Sequence, residues 1–265
     1  WLSGLKQMIL LSYRHPDFTQ LDLVLSSADT DHIMGMVECL VVRLAKDILG
    51  LEVKTPLPRM TYDEAMERFG HDAPDLRFGM ELTDCTELAK EAEFRVFRET
   101  ADGGGRVRGI NAKGAAGQFS RKRLDELTDW LKLDFGAKGL VWFRVEENGT
   151  LWSPVAKNFS DSLLAKIGQR LQAEPGDLLL FVADSWEVTC KALAAMRKRL
   201  AAELKLYDPQ SMNFSWVVEF PMFEWNKDEQ RWDAMHHPFT SPRRQDMERL
   251  ESEPAKCRAV AYDLV

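Results

Sequence analysis

Apolar segments of two periodicities mix along the chain without the regular strand–helix rhythm of a parallel sheet, which predicts an α+β fold. Three observations carry that expectation. Residues 139–145 form a β-branched and aromatic run that turns at Asn148-Gly149 into Thr150-Leu151-Trp152, the signature of a hairpin. Residues 177–183 make a short apolar run of the length and composition of a buried strand. Residues 186–204 place Leu193, Met196, Leu200 and Leu204 at helical spacing on one face.

The other elements follow from local signals. Residues 18–26 alternate partially and read as a strand. Asp29 and Asp31 offer caps to a helix in which Ile33, Met34, Val37, Leu40, Val41, Leu44 and Ile48 keep helical spacing until Gly50 stops it. Pro56 and Pro58 break the next stretch. Thr61-Tyr62-Asp63-Glu64 is a capping box opening a short helix that ends near Gly70, and residues 71–75 form a turn. Residues 93–96 resemble a strand, and Asp102-Gly103-Gly104-Gly105 is a flexible loop. Helices are expected at 121–133 and 162–171, a strand at 215–220, and a turn at 226–230 leading into 231–235. No internal repeat is visible.

A length of 265 residues suits one large domain or two modest ones. Lys plus Arg is 35 against 42 for Asp plus Glu, and the net charge of −7 argues against indiscriminate coating of nucleic acid while leaving room for a local basic patch. Hydrophobic residues at 45% and charged residues at 29% fit a globular chain rather than a disordered one. The apolar run near the middle, 178–183, is far shorter than the ~20 residues of a membrane helix. Cys39, Cys85, Cys190 and Cys257 lie apart with no CxxC pair, and they read as reduced thiols of an intracellular protein. The chain starts at Trp1 without a signal-peptide pattern and ends on apolar residues, so the expectation is a piece of a longer protein.

Several groups are candidates for chemistry. The glycines at 103–105 lack both the GxGxxG spacing and the Lys-Ser/Thr ending of a phosphate loop, so a plain turn is the better reading. Nothing around the cysteines signals an activating base, and no metal-ligand spacing is present. His236 and His237 end an apparent strand, where adjacent side chains point to opposite faces. One ring can reach a ligand carboxylate while the other supports it; a pair of histidines capping a turn is an equal alternative. Gln20 and Asp22 lie two apart on the expected first strand and share a face, which suits recognition of an ammonium group or, equally, a half-exposed strand. Residues 91–123 hold eight Lys and Arg against four Asp and Glu, a local +4 in an acidic chain. Arg106, Arg108, Arg121, Lys122 and Arg123 form the part of that segment expected to face an RNA backbone, and Lys191, Arg197, Lys198 and Arg199 add charge on a later helix. A solvated charged face has the same appearance in sequence.

Taken together these stretches resemble bacterial-type aspartyl-tRNA synthetase, a class II aminoacyl-tRNA ligase. Arg14-His15-Pro16-Asp17-Phe18-Thr19-Gln20-Leu21-Asp22 resembles the closing strand of the family's second signature motif. Thr61-Tyr62-Asp63-Glu64-Ala65 and Asp72-Ala73-Pro74-Asp75-Leu76-Arg77 are similar to the segment leading out of it. Gly136-Ala137-Lys138-Gly139-Leu140, Ser153-Pro154-Val155-Ala156-Lys157, Gly176-Asp177 and Ala183-Asp184 resemble the family's inserted GAD-type domain. Phe220-Pro221-Met222-Phe223-Glu224, Met235-His236-His237-Pro238-Phe239-Thr240-Ser241-Pro242 and Ala261-Tyr262-Asp263 are similar to its return to the catalytic sheet.

The resemblance implies a partial antiparallel-sheet catalytic domain over 1–90 and 213–265, interrupted by an inserted α+β domain over 91–212. It implies that His236, His237, Gln20, Asp22 and Lys6 line an aspartate site, Lys6 pairing with the side-chain carboxylate, and that His15 lies at the ATP site in place of a family Gln. It implies ATP-dependent attachment of aspartate to tRNA in translation, with ATP and Mg2+ in the family. The partners implied are aspartate and tRNA(Asp), with tRNA(Asn) open, in a cytoplasmic homodimer without membrane or DNA partners. The chain also departs from the family. Tyr13 runs directly into Arg14 where the family carries an ATP-holding loop, Val24 replaces a Glu, and the first motif, the anticodon-binding barrel and the final motif's ATP-binding Arg are not in this sequence. The expectation is an incomplete ligase that is inactive alone, binds no ATP or Mg2+ by itself, and contributes no catalytic group. The rival is a non-catalytic tRNA-binding or interaction module descended from the synthetase. A third option, kinship to a tRNA-dependent amidotransferase subunit through the insertion, is weakened by the flanking aspartate-site motifs.

Overall fold

A computed structural model describes Leu21 and residues 23–265, and the chain divides into two units at Pro56 and Leu57. In the first unit, α1 (Thr30–Leu49) starts where the Asp29 side chain accepts the His32 amide at 2.8 Å and stops at Gly50 in the left-handed conformation. It buries Met34 and Ala45 and leaves Leu40, Leu44 and Ile48 exposed. The strand expected at 18–26 is corrected where it is described. Leu21, Leu23, Val24 and Leu25 are exposed and outside any strand, since no described strand completes a ladder for them. Residues 18–20 and Asp22 lie outside the described residues.

The second unit runs in order through β1 (Arg59–Thr61), α2 (Tyr62–Phe69), β2 (Thr83–Asp84), α3 (Thr86–Lys90), α4 (Arg95–Asp102), β3 (Arg106–Ala112) and α5 (Arg121–Phe135). It continues through β4 (Val141–Val145), β5 (Leu151–Trp152), α6 (Asp161–Arg170), β6 (Leu178–Asp184), α7 (Trp186–Glu203), β7 (Trp216–Val218), β8 (Phe223–Asn226), β9 (Arg231–Ala234) and β10 (Tyr262–Leu264). No helix among the described residues is long and apolar enough to cross a membrane.

The larger sheet is five-stranded and wholly antiparallel, in the order β2-β3-β6-β4-β5. Its side chains alternate between two apolar cores, which is why the 178–183 run reads as uniformly hydrophobic. Leu178, Leu180 and Val182 face Leu124, Leu127, Leu131 of α5 and Leu193, Met196, Leu200 of α7. Leu179, Phe181 and Ala183 face Phe97 of α4 and Leu163, Ile167 of α6. Gly109 is required at the centre of β3, because a Cβ there would meet the Phe181 ring at 2.6 Å. Asp177, buried before β6, accepts the Gly114 and Glu174 amides at 2.8 and 3.0 Å and Asn111 Nδ2 at 2.9 Å.

The smaller sheet has the order β1-β7-β10, with β1 parallel and β10 antiparallel to the central β7. Residues 62–215 intervene between its two adjacent strands β1 and β7, and the whole five-stranded sheet lies within that interval. Met60, Ala65, Phe69, Val217 and Phe220 form its core. The β8–β9 hairpin pairs Trp225 with Trp232, their rings 5.3 Å apart.

Two local expectations change. Residues 93–96 are not a strand but the entry to α4: Phe94, Phe97 and Ala101 keep helical spacing, and Arg95 pairs with Glu99 at 2.7 Å. The segment 106–112, taken for a basic surface stretch, contains β3 at the middle of the larger sheet. There Arg108 is fully buried rather than facing solvent. Its guanidinium donates to the carbonyls of Met66 and Glu67 at the end of α2, reaches Cys190 Sγ at 3.3 Å, and lies 4.8 Å from the Trp186 ring. Arg197 of α7 is also buried. It donates to the carbonyls of Asp75, Phe78, Gly79 and Met80 at 2.7–3.2 Å and lies over the Phe78 ring at 4.2 Å. Burial pulls its pKa down to about 10, against Asp75 and Glu81, which raise it.

Arg197→Met keeps the stem volume and strands those carbonyls. A destabilisation of about 3 kcal/mol is expected in urea unfolding, since each buried acceptor without a donor costs roughly 1–3 kcal/mol; a loss under 1 kcal/mol would remove the arginine from the account. The thiols give a second expectation. Cys39 is exposed, burial pushes the Cys85 thiol up to about 12, and burial also raises Cys190 and Cys257. Titration of the native chain with a thiol-reactive disulfide reagent is expected to show one fast thiol and three released only on unfolding.

Candidate functional site

The histidine pair lies just beyond β9, where the hairpin returns to the smaller sheet. The Met235 amide donates to the Met222 carbonyl at 3.1 Å, and the Met222 amide to the Cys257 carbonyl at 2.9 Å, so the hairpin base is tied to the segment that precedes β10. His236 is half-buried. Its Nε2 is 3.0 Å from the Pro221 carbonyl, and its ring meets Phe220 edge-on at 5.9 Å. A carbonyl only accepts, so Nε2 carries the proton in this contact and Nδ1 is the other ring nitrogen, not used by it. His237 is exposed instead, its Nδ1 accepting the Phe239 amide at 3.2 Å and its ring against Phe239 at 4.8 Å. The two rings therefore have separate surroundings, one packed on the sheet and one in the turn.

One carboxyl, Asp263, interacts electrostatically with His236. Asp263 of β10 is held above the ordinary carboxylate range by burial first and by the Asp72 charge second, with His236 opposing both. Tyr62 at the start of α2 is raised by burial and then by Asp72 and Asp63. Asp63 pairs with Arg258 at 2.5 Å, and the Arg258 amide donates to buried Asp246 at 3.1 Å. Phe220, which carries His236, also packs on Tyr62 at 5.4 Å. The sequence points to His236 but gives no local sign that Asp72 and Asp263 come together, because residues 73–262 separate them and only the pairing of β7 with β1 and β10 closes the gap.

The other expected site residues fall out as follows. Lys6, His15, Gln20 and Asp22 lie outside the described residues. Of the basic group, Arg108 is buried as above and is corrected from a solvent-facing position. Arg123 pairs with Glu126 at 3.1 Å and also with Glu203. Arg106 is 3.8 Å from Asp84, while Arg121 and Lys122 are exposed at the start of α5. Among the described residues no three His, Cys, Asp or Glu side chains are grouped to hold a metal ion.

An α+β chain in which two neighbouring strands of a small mixed sheet enclose a five-stranded antiparallel body matches the model for tRNA synthetases of class II (D, K and N) over residues 10–265. The chain belongs to that family. Among individual relatives it is 59% identical over 252 residues to the aspartate–tRNA(Asp/Asn) ligase of Rhodopirellula baltica, covering 95% of this chain and 43% of that protein. It is 48% identical to the aspartate–tRNA(Asp/Asn) ligase of Natranaerobius thermophilus and 46% to the aspartate–tRNA ligase of Staphylococcus epidermidis, covering 95% of this chain and 43% and 42% of those proteins. The chain spans less than half the length of these curated relatives.

Asp263→Asn tests the electrostatics of the cluster. A carboxyl whose folded pKa is raised contributes stability below its unfolded value and loses it as the pH rises through the folded one. The amide mimics the protonated form, so the variant is expected to melt higher than the parent at pH 7. The gain should fade as the pH falls through the raised folded value and be gone below the ordinary carboxylate value of about 4. A gain that persists in acid would place its cause elsewhere.

Proposed function

We propose that this chain is part of an aspartate–tRNA ligase, and the 59% identity across 95% of the chain to a protein of that name is the observation that carries the reading. The reaction joins the aspartate α-carboxylate to the α-phosphate of ATP with loss of pyrophosphate, then transfers the aspartyl group to the 3′-terminal hydroxyl of tRNA. In this reading His236, anchored through Nε2 on the Pro221 carbonyl, presents Nδ1 to the amino acid, with His237 beside it. Gln20 and Asp22 line the side that receives the substrate ammonium. Lys6 meets the substrate side-chain carboxylate, which selects aspartate because asparagine would leave the lysine uncompensated. His15 borders the ATP position. The acidic surroundings of His236 support an ammonium-binding role, since a cation relieves the repulsion between Asp263 and Asp72.

The family implies ATP and Mg2+, yet the described residues supply no ligand set for a cation. In this reading the chain's own contribution is to bind and orient the amino acid. The reading includes tRNA(Asp) as partner, with tRNA(Asn) open because two of the relatives are named for both, and a cytoplasmic homodimer. It also treats 91–212 as an inserted domain between catalytic parts at 1–90 and 213–265. The enclosure of the five-stranded sheet between β1 and β7 supports this.

Aspartate-dependent ATP–pyrophosphate exchange tests the reading. The 265-residue chain alone is expected to give none, whereas an intact protein carrying it exchanges and charges tRNA. In that intact protein His236→Ala is expected to lower kcat/KM for aspartate about 100-fold, some 2.7 kcal/mol of lost transition-state binding. An unaffected kcat/KM would remove His236 from the site, and an intact protein that charges another amino acid would sink the reading.

A further inference from the structure

A cleft of about 380 Å³ opens between α5 and the β4 side of the larger sheet, away from His236. One wall is a polar stripe of α5: Arg121, Asp125, Thr128 and Lys132 recur at helical spacing and line the cleft, while Leu124, Leu127 and Leu131 turn into the core. The opposite wall is apolar, built from Phe94, Trp142 and Pro154, with Lys138 at its edge. Arg121, Lys132 and Lys138 are exposed, and among the described residues no ion pair neutralises them, in contrast to Arg123 with its two glutamates.

Geometry limits what fits. Eleven residues of helix separate Arg121 from Lys132, about 16 Å along the axis, farther than one anionic group can bridge. A ligand that pairs with both carries at least two anionic groups along an extended backbone. The wall between those cations favours flat apolar groups, and base stacking on such surfaces is the usual means of holding single strands. Asp125 and Thr128, at the middle of the stripe, accept hydrogen bonds from base amino groups or ribose hydroxyls. The same Asp125 carboxylate repels an acidic side chain placed there, which disfavours an acidic peptide.

We propose that this cleft holds a short unpaired segment of RNA, its phosphates on Arg121, Lys132 and Lys138 and a base against the Phe94–Trp142–Pro154 wall. The inference rests on the reading that the protein handles tRNA, and of the RNA-facing residues expected in sequence it keeps Arg121 and adds Lys132 and Lys138.

Fluorescence anisotropy of the 265-residue chain with fluorescein-labelled hexa-adenylate, over a salt series, tests it. The triple variant R121E/K132E/K138E is expected to bind the hexamer at least ten-fold more weakly and to flatten the log–log salt slope by about 2, the change for three lost phosphate contacts on a single strand. The control K191E/K198E on α7 is expected to stay within two-fold, with both variants unfolding at the parental urea midpoint. Equal loss in both variants, or displacement of the hexamer by poly-glutamate as effective as by unlabelled hexamer, overturns the proposal. A tRNA(Asp) transcript separates the two failures. If the triple variant keeps full salt-sensitive transcript binding, the cleft is wrong and tRNA handling stands. If the parent chain binds neither probe at low salt, the proposal falls together with any tRNA contact by this chain.

Discussion

The buried guanidinium groups of Arg108 and Arg197 set the arrangement of the second unit. Each belongs to the larger body, on β3 and α7, and each spends its donors on backbone carbonyls of the chain that leads out of β1. Met66 and Glu67 lie in the last turn of α2, at the negative end of the macrodipole; the Met66 carbonyl also accepts the Gly70 amide at 3.0 Å, and Arg108 adds donors to this end of α2 from across the molecule. Arg197 gathers four carbonyls of the irregular 75–80 stretch, which has no ladder of its own. A buried charge is costly unless several partners converge, and here the carbonyls are joined by carboxylates, Glu67 3.6 Å from Arg108 and Asp75 and Glu81 favouring the charge on Arg197. Gly70 follows from the same packing: a Cβ there would meet the Cys190 carbonyl at 2.6 Å, so α2 approaches α7 closely only because that position is glycine.

This constraint explains why local periodicity disclosed some elements and not others. β6, α5, α6 and α7 were legible because each carries its own pattern of apolar residues, and the three helices add a serine cap, Ser120, Ser160 and Ser185 accepting amides three residues on. β3 was illegible because its sequence, Arg-Val-Arg-Gly-Ile-Asn-Ala, breaks the apolar run with the residues that tertiary contacts require. Arg108 serves α2, Gly109 makes room for Phe181, and Asn111 serves Asp177. A charge run read as surface thus contained the middle of a sheet. β1, β2 and β10 are too short to show a period at all, and each exists through its neighbour.

The candidate site was legible to the extent that its residues are chemically conspicuous. Two adjacent histidines after a hairpin stand out in any sequence, and the two rings have different surroundings, Pro221 and Phe220 for one and Phe239 for the other. Asp72 and Asp263 do not stand out, since a carboxylate in a turn and another near a chain end are ordinary. Their effect arises only when β10 pairs with β7 and brings Asp263 within the field of Asp72. In the same way the count of basic residues holds while Arg108 is buried, because a count cannot tell a guanidinium that serves a helix end from one that faces water.

The charge arrangement now has a direction. The net −7 averages an acidic His236 end against the unneutralised cations at the α5 cleft. At the acidic end burial and Asp72 oppose ionisation of Asp263, and His236 favours it. An ammonium ligand entering there supplies the favourable field that Asp263 lacks, so binding draws the carboxyl toward its charged form and releases a proton. A phosphate entering the same place meets the opposite sign and must bring its cations from other parts of the protein. In the proposed reading the preference for the amino end of an amino acid would come from the convergence of β7, β10 and the turn after α2 rather than from the histidines alone.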